Sequence, residues 1–376
     1  MKIKSLRVTI VSLLYVFLLI SCNPTPEPWG DEWKTAGLNE VGIDEAQITT
    51  AIERIRDGSY NNIHCILIVR DGKLVFEEYF DGYTWDYVGE KFKGELTEYG
   101  VDTIHNLASV TKSFTSALIG IAIDEGFIPG VDEPVYAYFP DYAYLSDETK
   151  DSMTLEHLLT MTSGLEWNGM EIHVSTRNPR NDLLQLFMVS DPVEYILAKP
   201  LVNKPGESWY YNGGGTNLLG EVIREATGMR MDRFAEMYLF APMGIANYEW
   251  HFINQDMIHA AGNLKLRPRD MAKFGYLYLN GGLWGDKRIL SKEWIEESVE
   301  DHASPTWGDG YGYQWWLRTY DLGSTSIESF YAAGWGGQRI MVFPSLDMVV
   351  VFTGGNYVEE EPVDEIIIRH ILPAVQ

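Results

Sequence analysis

The chain has 376 residues, 45% of them apolar and 22% charged, with a formal net charge of −25. That length is enough for a large core, in one big domain or two intimate ones. The negative charge repels phosphate backbones and anionic headgroups, and no basic cluster relieves it, so a nucleic-acid partner is excluded.

In chain order, Lys2, Lys4 and Arg7 precede an apolar run of about a dozen residues, the pattern of a signal peptide and too short for a membrane span. The run ends Leu19-Ile20-Ser21-Cys22, which resembles the lipobox of bacterial lipoproteins. Residues 1–21 are therefore expected to be a lipoprotein signal peptide and Cys22 the lipid attachment site. A Pro-rich tether then runs to residue 41. A plain secretory signal that contains a cysteine is the alternative. On the lipoprotein reading the chain is exported and anchored in the periplasm or at the outer membrane, touching the membrane only through its lipid. Cys65, the other cysteine, then has no partner. It lies in the strand-like run IHCILIV and is expected to be a small buried hydrophobe.

Residues 44–58 read as an amphipathic helix, with Ile48, Ala51, Ile52 and Ile55 on one face and Gly58 past its end. Two β-rich runs follow around Arg70-Asp71-Gly72, a hairpin signal. Two more strands flank Pro344–Asp347, and residues 362–375 close the chain as a helical run. Strands at both ends with helical sequence between them predict an α/β (α+β) fold. Its antiparallel sheet would be built from both chain ends, flanked by helices, with a large helical insertion. The domain would cover 42–376, with the sheet part at about 42–104 and 305–376 and the helical part at about 105–304.

NLASVTKSFTSALIGIAIDEG (106–126) carries the chemistry. Phe114, Ala117, Leu118, Ile121 and Ala122 recur at helical spacing. Ser109 and Lys112, three residues apart, share a neighbouring face of the first turn. A hydroxyl there can become a nucleophile if a base removes its proton, and the helix N-terminus favours the developing negative charge. Lysine acts as that base only as a neutral amine, and burial against this apolar helix would have to lower its pKa from about 10.4 toward 7. Ser-x-x-Lys also occurs about once by chance in a chain of this size; alone it is equally a helix cap and a surface charge.

Further blocks follow in order: MTLEHLLTMTSGLEW (153–167), KPGESWYYNGGGTNLLGEVI (204–223), AGNLKLRPRDMAKFGYLYLNGGLW (261–284), YGYQWW (311–316) and AAGWGGQRIMVFPSLDMVVVFTGG (332–355). With ASVTKSF they resemble the β-lactamase-related serine hydrolases: class C β-lactamases, D-alanyl-D-alanine peptidases, and esterases and nylon-oligomer hydrolases. The resemblance covers about 42–372, and Ser-x-x-Lys is a known signature of this group. It implies the β-lactamase/transpeptidase-like fold, an acyl-enzyme on Ser109, Lys112 as base, and no metal or cofactor.

The family's second motif, Tyr-x-Asn, falls by gapless alignment on Tyr211, which makes Tyr211 the proton relay and puts Gly213 where Asn is common. Tyr210-Tyr211-Asn212 spells the same motif one residue earlier, so Tyr210 competes, and Asn212 is a candidate substrate contact. The third motif, Lys-Thr-Gly or His-x-Gly, reads Trp335-Gly336-Gly337 here, and these three are expected to line the substrate. An indole cannot pair with a carboxylate; β-lactam or D-Ala-D-Ala recognition is thereby disfavoured unless Arg339 or another arginine substitutes. The resemblance further implies an oxyanion hole from the backbone N–H of Ser109 and of Gln338.

The expected activity is hydrolysis of a small ester, amide or peptide-like substrate. Alternatives are a D-Ala-D-Ala carboxypeptidase or β-lactamase, and a non-catalytic binding protein on the same fold. Competing signatures are missing: there is no Gly-x-Ser-x-Gly elbow, no His-Glu-x-x-His, no P-loop and no dinucleotide fingerprint. Ser163 and His157 belong to a family-like structural segment. No protein partner is evident.

Overall fold

A computed structural model describes residues 33–86, 89–169, 172, 174–305, 309–323 and 325–376. The signal segment and Cys22 lie outside these residues. Helix α1 (Glu45–Arg56) starts at Asp44, whose side chain accepts from the Ala46 N–H, and leads into β1 (Ile63–Arg70). The Asp71-Gly72 turn, both residues at positive φ, reverses the chain into β2 (Lys73–Tyr79). A small hairpin follows, β3 (Gly82–Trp85) and β4 (Lys93–Thr97), then the short strand β5 (His105–Asn106).

The insertion holds α2 (Thr111–Asp124), α3 (Leu155–Leu159), α4 (Asp182–Leu186), α5 (Pro192–Leu197), α6 (Gly213–Thr227) and α7 (Met231–Ala235). After β6 (Glu249–Trp250) and β7 (Leu264–Leu266) come α8 (Pro268–Leu279), the hairpin β8 (Leu283–Trp284) and β9 (Lys287–Arg288), and α9 (Lys292–Ser298). The chain returns to the sheet through β10 (Gly310–Tyr311), β11 (Trp316–Asp321), β12 (Ser326–Gly334), β13 (Gln338–Phe343) and β14 (Met348–Gly354).

These last five strands join the first two in one sheet of order β10-β11-β12-β13-β14-β1-β2. Every pairing in it is antiparallel, with β14 and β1 joining the chain's two ends next to the edge strand β2. This is the architecture read from the sequence, an antiparallel sheet of both chain ends bearing a helical insertion. The central strands are apolar throughout because both faces are covered. Cys65, Leu67 and Val69 of β1 share a core with α2, α6 and α8 of the insertion. Ile66 and Ile68 turn the other way, onto α1 and the C-terminal helical run Val363–Ile366, Ile367–Ile371 and Leu372–Ala374. Gly275 lets α8 lie close on the sheet, since a Cβ there would stand 2.6 Å from Val349 Cγ1. Cys65 is a free, fully buried thiol, pushed well above its ordinary pKa by burial. No helix among the described residues is long and apolar enough to cross a membrane.

Candidate active site

The helix α2 has no water-facing side along most of its length: every residue from Thr111 to Ala122 is buried. The sequence pattern suggests one apolar face beside a polar one, whereas the fold wraps the helix completely, against α6, α8 and the sheet. Lys112 is therefore carried into the interior by its neighbours and is 4% exposed.

Ser109 stands just ahead of α2, in a single 3₁₀ turn, Ala108–Val110. That turn is held from several directions. Ala108 sits at φ 46°, a left-handed conformation that costs a non-glycine residue about 1–3 kcal/mol. Its N–H donates to Asn106 Oδ1 and its carbonyl accepts from Thr111 Oγ1, at 2.9 and 2.7 Å. The Leu107 N–H donates to the Leu264 carbonyl of β7. A strained, over-determined turn of this kind presents a side chain in one orientation.

Lys112 Nζ lies 3.0 Å from Ser109 Oγ and donates to the Ala261 carbonyl at 2.6 Å. It also stands 4.9 Å from the centre of the Tyr211 ring. Among the described residues no carboxylate comes within ion-pair distance of it. The Ala261 segment is fixed in turn, because the Ala261 N–H donates to Asn217 Oδ1 of α6 and Thr115 Oγ1 donates to the Ala260 carbonyl. Next to it lies His259, fully buried, its pKa lowered to about 3 by desolvation first and then by the Lys112 charge.

Of the two competing tyrosines, the structure brings Tyr211 to Lys112. Tyr210 packs on the core, and its N–H donates to the Met161 carbonyl. Asn212, a candidate substrate contact from sequence, is 2% exposed and is the N-cap of α6. Its Oδ1 accepts from the Gly215 N–H and its Nδ2 donates to the Leu165 carbonyl. Both ends of that amide are thus used to hold the loop. Ser163 and His157 do not pair: Ser163 Oγ accepts from the Leu165 N–H, and His157 Nδ1 bonds Thr154 in a capping box.

The third motif forms the turn between β12 and β13. Gly334 closes β12 and lies directly against the nucleophile turn, where a Cβ would fall 2.2 Å from the Leu107 carbonyl and 3.2 Å from the Ser109 N. Gly336 and Gly337 have φ of 94° and 93°, a region that only glycine enters freely. A Cβ on Gly336 would meet Tyr357, and one on Gly337 would meet Glu361. Gln338, expected as the second oxyanion donor, begins β13 opposite Gly334. Its side chain clamps the turn, donating to the carbonyls of Trp335 and Gly354 and accepting from the Gly354 N–H. Gly334 and Gln338, paired across the hairpin, thus stand where β12 and β13 meet the nucleophile turn.

Two aromatic groups reach this centre. Tyr211 stacks on Trp316 at 6.2 Å, and Trp316 packs on Trp209 and Tyr311. Trp335, half-buried, meets Trp85 at 4.7 Å, Phe92 at 5.3 Å and Tyr357 at 5.5 Å. Arg339, the proposed substitute for a third-motif cation, is paired with Glu361 and donates to the carbonyls of Gly334 and Gln338. Sequence reasoning missed Ala261, Gly334 and the β3–β4 hairpin. Ala261 acts through its carbonyl and Gly334 through having no side chain, so residue type signals neither, while Trp85 and Phe92 are ordinary aromatics until the fold sets them on Trp335.

Known structures share this architecture. A putative 6-aminohexanoate-dimer hydrolase from Bacillus anthracis superposes with a TM-score of 0.69 at 23% identity, over 89% of this chain and 84% of that one. The Beta-lactamase family profile matches residues 65–371, and the chain belongs to that family. The 6-aminohexanoate-dimer hydrolase of Paenarthrobacter ureafaciens is 24% identical over 270 residues, 67% of this chain and 66% of that protein. The lovastatin esterase of Penicillium rubens is 25% identical over 207 residues, 50% of each chain. The chain thus spans half to just under two thirds of the length of these two relatives.

Proposed function

We propose that this protein is a serine hydrolase that cleaves small esters or amides through an acyl-enzyme on Ser109. The observation that carries this is the 3.0 Å contact between Ser109 Oγ and Lys112 Nζ, in a buried site without a counter-ion. A nucleophile within hydrogen-bond reach of its base is what the chemistry requires first.

Lys112 takes the Ser109 proton as Oγ attacks the substrate carbonyl. The oxyanion is met by the Ser109 N–H and, by sequence alignment, the Gln338 N–H at the β12–β13 turn. One such donor is worth roughly 3–4 kcal/mol of barrier. The tetrahedral intermediate collapses, the bond to the leaving oxygen or nitrogen breaks, and the proton passes to it from Lys112 by way of the Tyr211 hydroxyl. Water then attacks the acyl-Ser109 ester, giving its proton back through the same groups and releasing the acid. The names of the two relatives, a 6-aminohexanoate-dimer hydrolase and a lovastatin esterase, support a small-molecule hydrolase.

Trp335 and the committed Arg339 argue against β-lactam or D-Ala-D-Ala substrates, whose carboxylate needs a partner once desolvated. The discriminating experiment is turnover of 4-nitrophenyl butyrate against nitrocefin. Ester hydrolysis without rapid nitrocefin hydrolysis is the expected result; the reverse would establish a β-lactamase, and neither activity would return the chain to a binding protein. On Leu19–Cys22 alone, we also propose that the protein is an exported lipoprotein held by a lipid on Cys22. Radiolabelled palmitate should enter the wild-type chain in its bacterial host and not Cys22→Ala.

A further inference from the structure

We propose that Gln314 is a positioning residue for the proton relay, holding Lys112 and Tyr211 at the spacing that protonation of the leaving group requires. The inference rests on the hydrolase reading above and deepens it. Three elements meet at the relay. Helix α2 carries Lys112, the loop before α6 carries Tyr211, and β11 begins with Trp316, on which the Tyr211 ring stacks. Gln314 lies in the turn between β10 and β11, two residues before Trp316, and is 2% exposed. Its carbonyl accepts from the hydroxyl of Ser113, the residue next to Lys112, at 2.7 Å. Its Oε1 accepts from Thr216 Oγ1 of α6 at 3.0 Å. Its Nε2 donates to the carbonyls of Leu158 and Leu159 in α3, at 3.0 and 2.7 Å. One residue is thus bonded to the helix of the base and to the helix that follows the tyrosine, and it runs on into the strand whose indole stacks on that tyrosine.

The backbone supports the same reading. Gln314 has φ 64°, a left-handed conformation that persists in a non-glycine residue only where the surroundings over-determine it. Its N–H lies between the Leu159 and Gly312 carbonyls, at 3.1 and 2.9 Å. Ser113 and Thr216 are buried with it, and a satisfied buried network of this kind fixes one arrangement of the elements it joins. The nucleophile turn is held by a separate set of bonds, from Asn106, Thr111 and Leu264. Loosening Gln314 therefore shifts Tyr211 and Trp316 against Lys112 while Ser109 stays pinned. The step that suffers is the collapse of the tetrahedral intermediate. There the bond to the leaving oxygen breaks, its electron pair goes to that oxygen, and the proton that Lys112 took from Ser109 reaches the same oxygen through Tyr211. A 4-nitrophenolate departs without that proton, whereas an alkoxide needs it. A glutamine that merely joined backbone segments would support both departures alike.

Three butyrates with one acyl group and increasingly basic leaving groups test this: 4-nitrophenyl, phenyl and ethyl. The readout is kcat/KM, which reports acylation. Tyr211→Phe sets the scale, its loss growing from the first ester to the third. Gln314→Leu, of similar size, should follow the same order and lose about tenfold more on ethyl than on 4-nitrophenyl butyrate, within the roughly 100-fold that a 1 Å misplacement can cost. Thr216→Val, which removes one hydroxyl and keeps the shape, should show the same trend at about threefold. Thr216→Ser should restore the wild-type profile. Equal losses on all three esters in Gln314→Leu and Thr216→Val, or a profile unchanged from wild type, would overturn the proposal. Should Gln314→Leu fail to fold, Thr216→Val decides by the same criterion. A wild type that hydrolyses none of the esters would instead overturn the hydrolase reading, and a Tyr211→Phe enzyme without leaving-group dependence would overturn the role of Tyr211.

Discussion

The two walls of the reaction centre are built on opposite principles. At the α2 end, polar groups are buried and fixed: Lys112, Thr115, Asn217 and the Ala261 backbone all bond one another or their immediate neighbours. At the β12–β13 end the wall is aromatic, with Trp335 set among Trp85, Phe92 and Tyr357. The polar wall can move a proton and accepts any carbonyl that reaches it. The aromatic wall does no chemistry and decides what reaches it. The comparison separates residues whose loss should abolish turnover from residues whose loss should redirect it.

The largest effect should come from the polar wall. Ser109→Ala should lower kcat/KM for 4-nitrophenyl butyrate by about 10⁴-fold, with the fold intact by circular dichroism. Lys112→Ala should cost about 10²–10⁴-fold, the range for loss of a general base. Near-wild-type activity in either variant would break the division between the two walls.

Gly334→Ala tests their junction. Its methyl would have to share space with the Leu107 carbonyl, 2.2 Å away. A displacement of about 1 Å at the nucleophile turn should cost about 100-fold in kcat, with less effect on KM. Trp335→Leu should act differently. It should leave kcat on short neutral esters within about threefold, while changing the order of preference among acyl and alcohol groups. A Trp335→Leu enzyme as dead as Lys112→Ala would mean that the indole belongs to the catalytic machinery.

Smaller effects concern how the walls are held. Asn212→Ala should cost about 1 kcal/mol of stability from the lost helix cap, read as a lower urea midpoint. Acid should weaken the fold as well. Desolvation lowers His64, His105 and His259 to about 2, 4 and 3 in the folded protein. Such groups bind protons more readily when unfolded, so they begin to destabilise the protein as pH falls below about 6.5. Each contributes up to about 1.4 kcal/mol per pH unit until its folded value is reached. Melting temperature should therefore fall steadily from pH 6.5 to pH 4. A flat profile would show that these histidines are solvated.

The sheet was legible in the sequence because its signals are local. The Asp71-Gly72 turn, the apolar run along Ile63–Arg70 and the strands flanking Pro344–Asp347 each need only neighbours to be read. Ser109 and Lys112 were legible as a spacing, and the family blocks lent that spacing meaning. The burial of Lys112 was not, since α2 is enclosed by α6, α8 and a sheet whose strands lie far along the chain. Asn212 was read as a substrate contact, and its role as the cap of α6 was not legible, because a cap and a ligand use the same amide. The helix itself begins at Gly213, directly after that cap. The aromatic wall was least legible: the rings that meet Trp335 come from residues 85, 92 and 357, and no local pattern connects them.

The most direct test of the central claim is to trap the acyl-enzyme. A fluorophosphonate should add one adduct per chain, and peptide mass mapping should place it on Ser109. Lys112→Ala should slow that labelling severely, and Ser109→Ala should abolish it. An adduct on another serine, or an unlabelled wild-type protein, would contradict the account.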